Sequence, residues 1–155
     1  MLGAMLGVVA DQMTKAAAFA HVAERGDWEV APFLAITAGM NPGIAFGLAT
    51  TVHPAMLIAV AGAISIVLVL MIRRSAGWLR TAALGAILGG AAGNVADRLR
   101  FGAVRDLIDL HWQEWHWPTF NLADASIAVG VLMLLISADP ADGSRTPAAP
   151  LGEGK

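Results

Sequence analysis

The sequence predicts an α-helical membrane protein with four transmembrane helices and a small β-rich segment between the first and second helices. Three observations predict it. Of the 155 residues 57% are hydrophobic and only 14% charged, with a mean hydropathy of +0.64, more apolar and less charged than a soluble domain. Residues 30–72 contain no Asp, Glu, Lys or Arg. And ionisable groups recur inside apolar segments, which is costly at bilayer depth and marks a functional site by default. A chain this short is one integral membrane domain, residues 1–138, with a tail at 139–155. The formal net charge of -2 gives no basic footprint for nucleic acid. Cysteine is absent, which removes thiolate nucleophiles, disulfides and Cys-ligated metals.

The first span is MLGAMLGVVADQMTKAAAFAHVA, whose purely apolar part is only ten residues long. A cleavable signal peptide needs a basic start, and none precedes Ala10. The segment therefore reads as a shortened span with Asp11 and Lys15 near one membrane face. In the connection that follows, Trp28, Val30 and Phe33, then Ile36 and Thr37, suggest strand, interrupted by Gly39, Pro42 and Gly43. The second span, HPAMLIAVAGAISIVLVLMIRR, is the clearest: about the ~20 residues that cross a bilayer, closed by Arg73 and Arg74. After a short basic turn to Arg80 comes WLRTAALGAILGGAAGNVADR, whose Gly and Ala content lets helices approach closely. The stretch FGAVRDLIDLHWQEWHWPTF ends in Trp112, Trp115 and Trp117, rings that gather at headgroup depth. The fourth span runs from about Phe120 to Ser137. The remainder, rich in Pro, Gly and small polar residues, is predicted to be a disordered tail.

Charge does not orient the bundle. Arg73, Arg74, Arg80, Arg145 and Lys155 fall on one side, and Lys15, Arg25, Arg98, Arg100 and Arg105 on the other. That is a tie, with the Arg-dense turn weakly favouring the cytoplasm.

The chemistry lies in the carboxylates. Two spans carry the same pair, Asn94 with Asp97 and Asn121 with Asp124, and Asp106 and Asp109 lie between them. Residues three apart share a helix face, so each Asn is placed to orient a carboxylate. Asp124 sits one turn into its helix, where free N–H groups and the helix dipole favour negative charge while burial opposes it. A second carboxylate from VRDLID meeting Asp124 would share one proton with it. One member then acts as base on a water while the other polarises a carbonyl. Spacing alone does not choose between Asp106 and Asp109.

Five blocks, DQMTK at 11–15, NPGIAF at 41–46, GGAAGNVADR at 89–98, GAVRDLID at 102–109 and FNLAD at 120–124, occur in the order found in bacterial lipoprotein signal peptidases, the signal peptidase II family. The chain resembles these four-helix intramembrane aspartyl proteases from Asp11 to about Gly130. The resemblance implies that Asp106 and Asp124 are the catalytic dyad. It further implies that Asp11, Asn41, Asn94, Asp97, Arg98 and Asn121 shape the site or bind substrate. It implies a lipid-modified prolipoprotein as substrate, cut on the amino side of its diacylglyceryl-bearing Cys, with no cofactor. It also implies a monomer in the bacterial inner membrane, the β-rich segment and active site extracytoplasmic and both termini cytoplasmic. Leu107 departs from the aromatic usual after the dyad Asp, a packing change rather than a chemical one.

Blander roles compete. Asp97 and Arg98 could be an ion pair ending the third span, Asp11 and Lys15 a surface pair, and Asp124 a helix N-terminal charge. Ser65, Ser126 and Ser137 have no adjacent base. His111 and His116 flank the Trp cluster without H-E-x-x-H spacing, so no metal is expected; His21 and His53 read as interfacial. Asn41 and its neighbouring Gly are placed to hold a substrate strand by backbone contacts. The rival class is a proton-coupled carrier, since intramembrane Asp residues also relay protons, but the doubled N-x-x-D echo has no counterpart in the first two spans. A non-catalytic assembly factor would need no paired carboxylates.

Overall fold

The computed structural model describes residues 2–43 and 54–137. The NPGIAF block from residue 44 on, His53 and the tail at 139–155 lie outside the described residues. The order of elements is α1 (Leu2–Arg25), β1 (Trp28–Ala31), β2 (Leu34–Asn41), α2 (Pro54–Arg74), α3 (Trp78–Phe101), β3 (Val104–Trp112), β4 (Trp115–His116) and α4 (Leu122–Ser137).

α3 is the central helix, packed on α1, α2 and α4. Its glycines explain how. A Cβ on Gly89 would meet the backbone of Ala4 in α1 at 2.8 Å, and one on Gly93 would meet the Asp11 carboxylate at 2.6 Å. A Cβ on Gly90 would collide with the Ala123 carbonyl of α4, and one on Gly130 of α4 would meet the Ala83 carbonyl at 2.7 Å. The small-residue stripe is thus a seam in which backbones touch. α3 ends at Gly102, whose φ of 76° is a left-handed cap, its N–H bonded to the Arg98 carbonyl at 3.0 Å. The apolar cluster of Ala4, Leu68, Leu84 and Leu88 closes the end of the bundle away from the sheet.

The outer surface is apolar as well. Met56, Val60, Ile64, Val67 and Leu70 of α2, and Val129, Leu132, Leu135 and Ile136 of α4, are exposed. Ala55–Arg74 is the one described helix both long and apolar enough to cross a membrane, and Leu122–Ser137 is a shorter apolar helix. α1 and α3 carry the polar groups described below.

The β structure expected between the first two helices is present, but it is only half of the sheet. Four antiparallel strands lie in the order β1-β2-β3-β4, and β3 and β4 come from between α3 and α4. VRDLIDLHW does not read as a strand because ionisable groups fall on both of its faces, so no apolar–polar alternation announces it. β2 also runs through Gly39 to Asn41 rather than stopping there, absorbing an irregularity between Ile36 and Gly39. β3 and β4 are joined by a two-residue turn with Gln113 at a φ of 54°, the positive φ that tight hairpins demand. Trp112 and Trp115 stand exposed beside this turn.

Candidate active site

Side chains alternate along a strand, so Val104, Asp106 and Leu110 of β3 share one face. All three line a cavity of about 580 Å3 with Asn41, Asn94, Arg98, Trp117 and Asp124. Asp109 belongs to the other face and is not part of that lining. The strand period thus separates the two aspartates that spacing in the sequence left equivalent.

Asp106 is 2% exposed. Its two oxygens accept from Asn121 Nδ2 at 2.7 Å and Asn41 Nδ2 at 3.1 Å. Burial pushes its carboxyl above the usual carboxylate range; the two amide bonds act against that push, and the negative charge of Asp124 adds to it. Asn41 in turn accepts the Gly43 N–H at 3.0 Å, a local turn that fixes its amide.

Asp124 is half-buried at the start of α4. The Asn121 side chain accepts the Asp124 N–H at 3.0 Å, and the Asp124 carboxylate accepts the Asn121 N–H at 3.3 Å. This reciprocal arrangement is a capping box, so FNLAD starts a helix as well as placing a carboxylate. Its other oxygen accepts from Asn94 Nδ2 at 2.8 Å. Asn121 therefore bonds to both Asp106 and Asp124, and among the described residues neither of these carboxylates has an ion-pair partner.

The second N-x-x-D pair behaves differently. Asn94 orients Asp124 rather than Asp97, and its carbonyl oxygen accepts from Lys15 Nζ at 3.2 Å. Asp97 is fully buried and faces away from the cavity. It accepts from Gln12 at 3.0 Å and from Arg105 Nη2 and the Arg105 N–H at 2.8 and 3.0 Å, and it lies 3.1 Å from Lys15 Nζ. Mid-helix, residues 94 and 97 have no chain end to cap, so each turns to a different neighbour.

Asp11 and Lys15 form no surface pair. Both are buried, 2.9 Å apart, and Asp11 Oδ1 accepts the N–H of Ala123, the residue before Asp124, at 2.9 Å. Another free N–H of the α4 terminus is thus satisfied from α1. Nor do Asp97 and Arg98 pair: Arg98 Nη2 donates to the Gly43 carbonyl at 2.6 Å, and its Nε is buried without a partner at the cavity. Sequence reasoning missed Gln12, Arg105 and Trp117. The first two had a signal in their adjacency to Asp11 and Asp106; Trp117 was read as interfacial but lines the cavity.

Comparison with known proteins covers nearly the whole described chain. The family model described as Signal peptidase (SPase) II matches residues 3–138. The lipoprotein signal peptidase of Anaplasma marginale (strain Florida) is 37% identical over 144 residues, covering 87% of this chain and 85% of that protein. That of Burkholderia thailandensis is 38% identical over 135 residues, covering 84% and 81%. Two solved structures of a bacterial membrane enzyme, obtained by the in meso method at 2.3 and 1.9 Å resolution, superpose with TM-scores of 0.77 and 0.75 at 31% identity. Each covers 88% of this chain, and the chain covers 84% and 89% of them. A multi-pass placement in the bacterial inner membrane is consistent with these relationships. The chain is an aspartic peptidase and belongs to the signal peptidase II family.

Proposed function

We propose that this peptidase cuts diacylglyceryl-modified prolipoproteins on the amino side of the lipidated Cys, with Asp106 and Asp124 as its catalytic pair. The observation that carries the reading is the pair itself: two carboxylates on one cavity, held by neutral amides, with no ion pair to either among the described residues. Asp106, the more buried and with its carboxyl pushed up by burial, is assigned as the proton donor, and Asp124, which lines the cavity near the start of α4, as the base.

The Asp124 carboxylate takes a proton from a water whose oxygen attacks the carbonyl carbon preceding the Cys. Asp106 gives its proton to the carbonyl oxygen, and a tetrahedral diol forms. Asp106 then takes a proton back from a diol hydroxyl while Asp124 protonates the leaving nitrogen, and the C–N bond breaks. The pair ends with its protons where they began. Asn94 and Asn121 hold the carboxylates, and Asn41 and Arg98 are placed to bind the peptide.

The substrate class fits the surroundings. A diacylated peptide leaves lipid only at about 0.8 kcal/mol per buried CH2, so its acyl chains stay in the bilayer while the peptide reaches the cavity. Ala125, Ile127 and Ala128 of α4 give that cavity an apolar wall. The exposed Trp112 and Trp115 support a headgroup-level position for the sheet, from which water would reach the cavity on the extracytoplasmic side. Action as a monomer is part of this reading. Cleavage of a lipidated prolipoprotein by Asp106→Asn and Asp124→Asn variants tests the pairing. Each should lose at least about 10²–10⁴-fold in kcat; full activity in either removes the dyad, and proton flux without cleavage favours a carrier.

A further inference from the structure

The face of the sheet turned away from the cavity carries a second cluster, which the peptidase chemistry does not use. Glu29 of β1 pairs with Ala35 of β2, and Ala35 pairs with Asp109 of β3. Directly paired residues project to one side, so Glu29 and Asp109 share a face across the small Ala35. His111 lies two residues beyond Asp109 on the same face, and its partner across the hairpin is His116. The register alone gathers two carboxylates and two imidazoles.

Their contacts are those of a ligand set. His116 Nδ1 lies 2.9 Å from Asp109 Oδ2. His111 Nδ1 is 3.8 Å from the same oxygen, too far for a hydrogen bond, and is buried with no partner. The ligand atoms of Asp109, His111 and His116 all fall within 4.8 Å of one another. The two rings lie 5.2 Å apart and 30° from parallel. Glu29 Oε2 stands 3.6 Å from the other nitrogen of His111, Nε2.

We propose that Asp109, His111 and His116 bind one divalent transition-metal cation of the zinc class, with Glu29 orienting His111 from behind. Imidazole and carboxylate donors suit such a cation, bound at about 2.0–2.2 Å, with water completing four-coordination. Tetrahedral ligands then stand roughly 3.3 Å apart, a separation between the two nearest spacings already present. The cation takes the lone pair of the orphaned His111 Nδ1, while Nε2–H points to Glu29, the carboxylate–imidazole–metal relay that fixes the tautomer. The sequence hides the site because its two histidines, five positions apart, meet across a hairpin rather than on a helix face. The cation would pin β4 to β3, whose opposite face presents Asp106 and Leu110 to the cavity.

The test uses the full chain without a polyhistidine tag, in nanodiscs, stripped by a chelator and titrated with Zn2+ against a chromophoric chelator. Co2+ absorption reports the geometry. One equivalent should bind, with Ca2+ and Mg2+ failing to compete. His111→Ala, His116→Ala and Asp109→Asn should each weaken binding at least about tenfold, and Glu29→Gln by roughly 10- to 100-fold. His21→Ala should change nothing. His116 is more than half exposed on a two-residue edge strand, so its variant keeps the fold, and retained peptidase activity confirms that. Absence of stoichiometric uptake by the wild type at micromolar free Zn2+ overturns the proposal, as does uptake undiminished in the His111→Ala/His116→Ala double variant.

Discussion

Two groups of carboxylates sit back to back in this bundle, and they are stabilised in opposite ways. Behind the cavity, Asp11 and Asp97 are matched by Lys15 and Arg105, two anions with two cations, with Gln12 binding both acids. In front, Asp106 and Asp124 have only amide and backbone donors. A carboxylate locked to a cation is unable to exchange protons cheaply, whereas one held by neutral donors keeps its orientation and remains free to change charge. In the proposed function the rear group is a brace and the front group a reagent. Lys15 and Asn94 connect them, since the ammonium of one holds the amide that holds Asp124.

Variants can break this division, beginning with the loss of cleavage expected from the front pair. Next in size is Lys15→Met, which leaves Asp11 and Asp97 buried beside an unfilled cation position. Breaking a buried pair in this way costs about 3–5 kcal/mol, and thermal unfolding in detergent should show it as a large fall in Tm. Unchanged stability would mean that the brace is not held by charge. Asn94→Ala removes a bond to a charged group worth about 1.5–3 kcal/mol. Because Asn94 acts on Asp124, kcat should fall about 10- to 100-fold, with a fall in Tm smaller than that of Lys15→Met. A fall in Tm with kcat intact would make Asn94 part of the brace.

The smallest effect concerns protons. Burial holds the Asp106 carboxyl above its unfolded value, so the folded state binds this proton more tightly. Its contribution to stability is full below the unfolded pKa, near 3.9, and is lost as pH rises through the folded pKa. Asp106→Asn removes that titration. The variant's Tm should depend less on pH between about 4 and neutrality, approaching or exceeding the wild type at the upper end. Parallel Tm profiles would show that Asp106 does not carry the raised proton affinity. The proposed mechanism requires the same group to be protonated, so the rate should fall on the alkaline side as Asp106 ionises.

The helices were legible because apolar runs punctuated by Arg, Gly or Pro stand out, and Ala55–Arg74, the one described helix both long and apolar enough to cross a membrane, most plainly so. The Asn and Asp positions were legible because such residues are expensive in lipid and therefore stand out. What the sequence hid was direction. Asn94 and Asp97 share a helical spacing yet serve different carboxylates, because Lys15 and Arg105 approach from elsewhere in the chain. β3 was hidden because both of its faces bear chemistry, the cavity on one and the Asp109–His111 group on the other. Only register, a tertiary property, shows that a one-residue step separates the two.

The capping box has a practical corollary. Asp124 closes the first turn of α4 as well as lining the cavity, so under the proposed function it answers to two demands, accumulation of intact enzyme and turnover. Alanine there removes the acceptor for the Asn121 N–H and with it half of the reciprocal capping box. A survey scoring only growth or protein abundance would merge the two phenotypes. Asparagine, which retains an oxygen for the Asn121 N–H but cannot be a base, is the replacement that tells them apart.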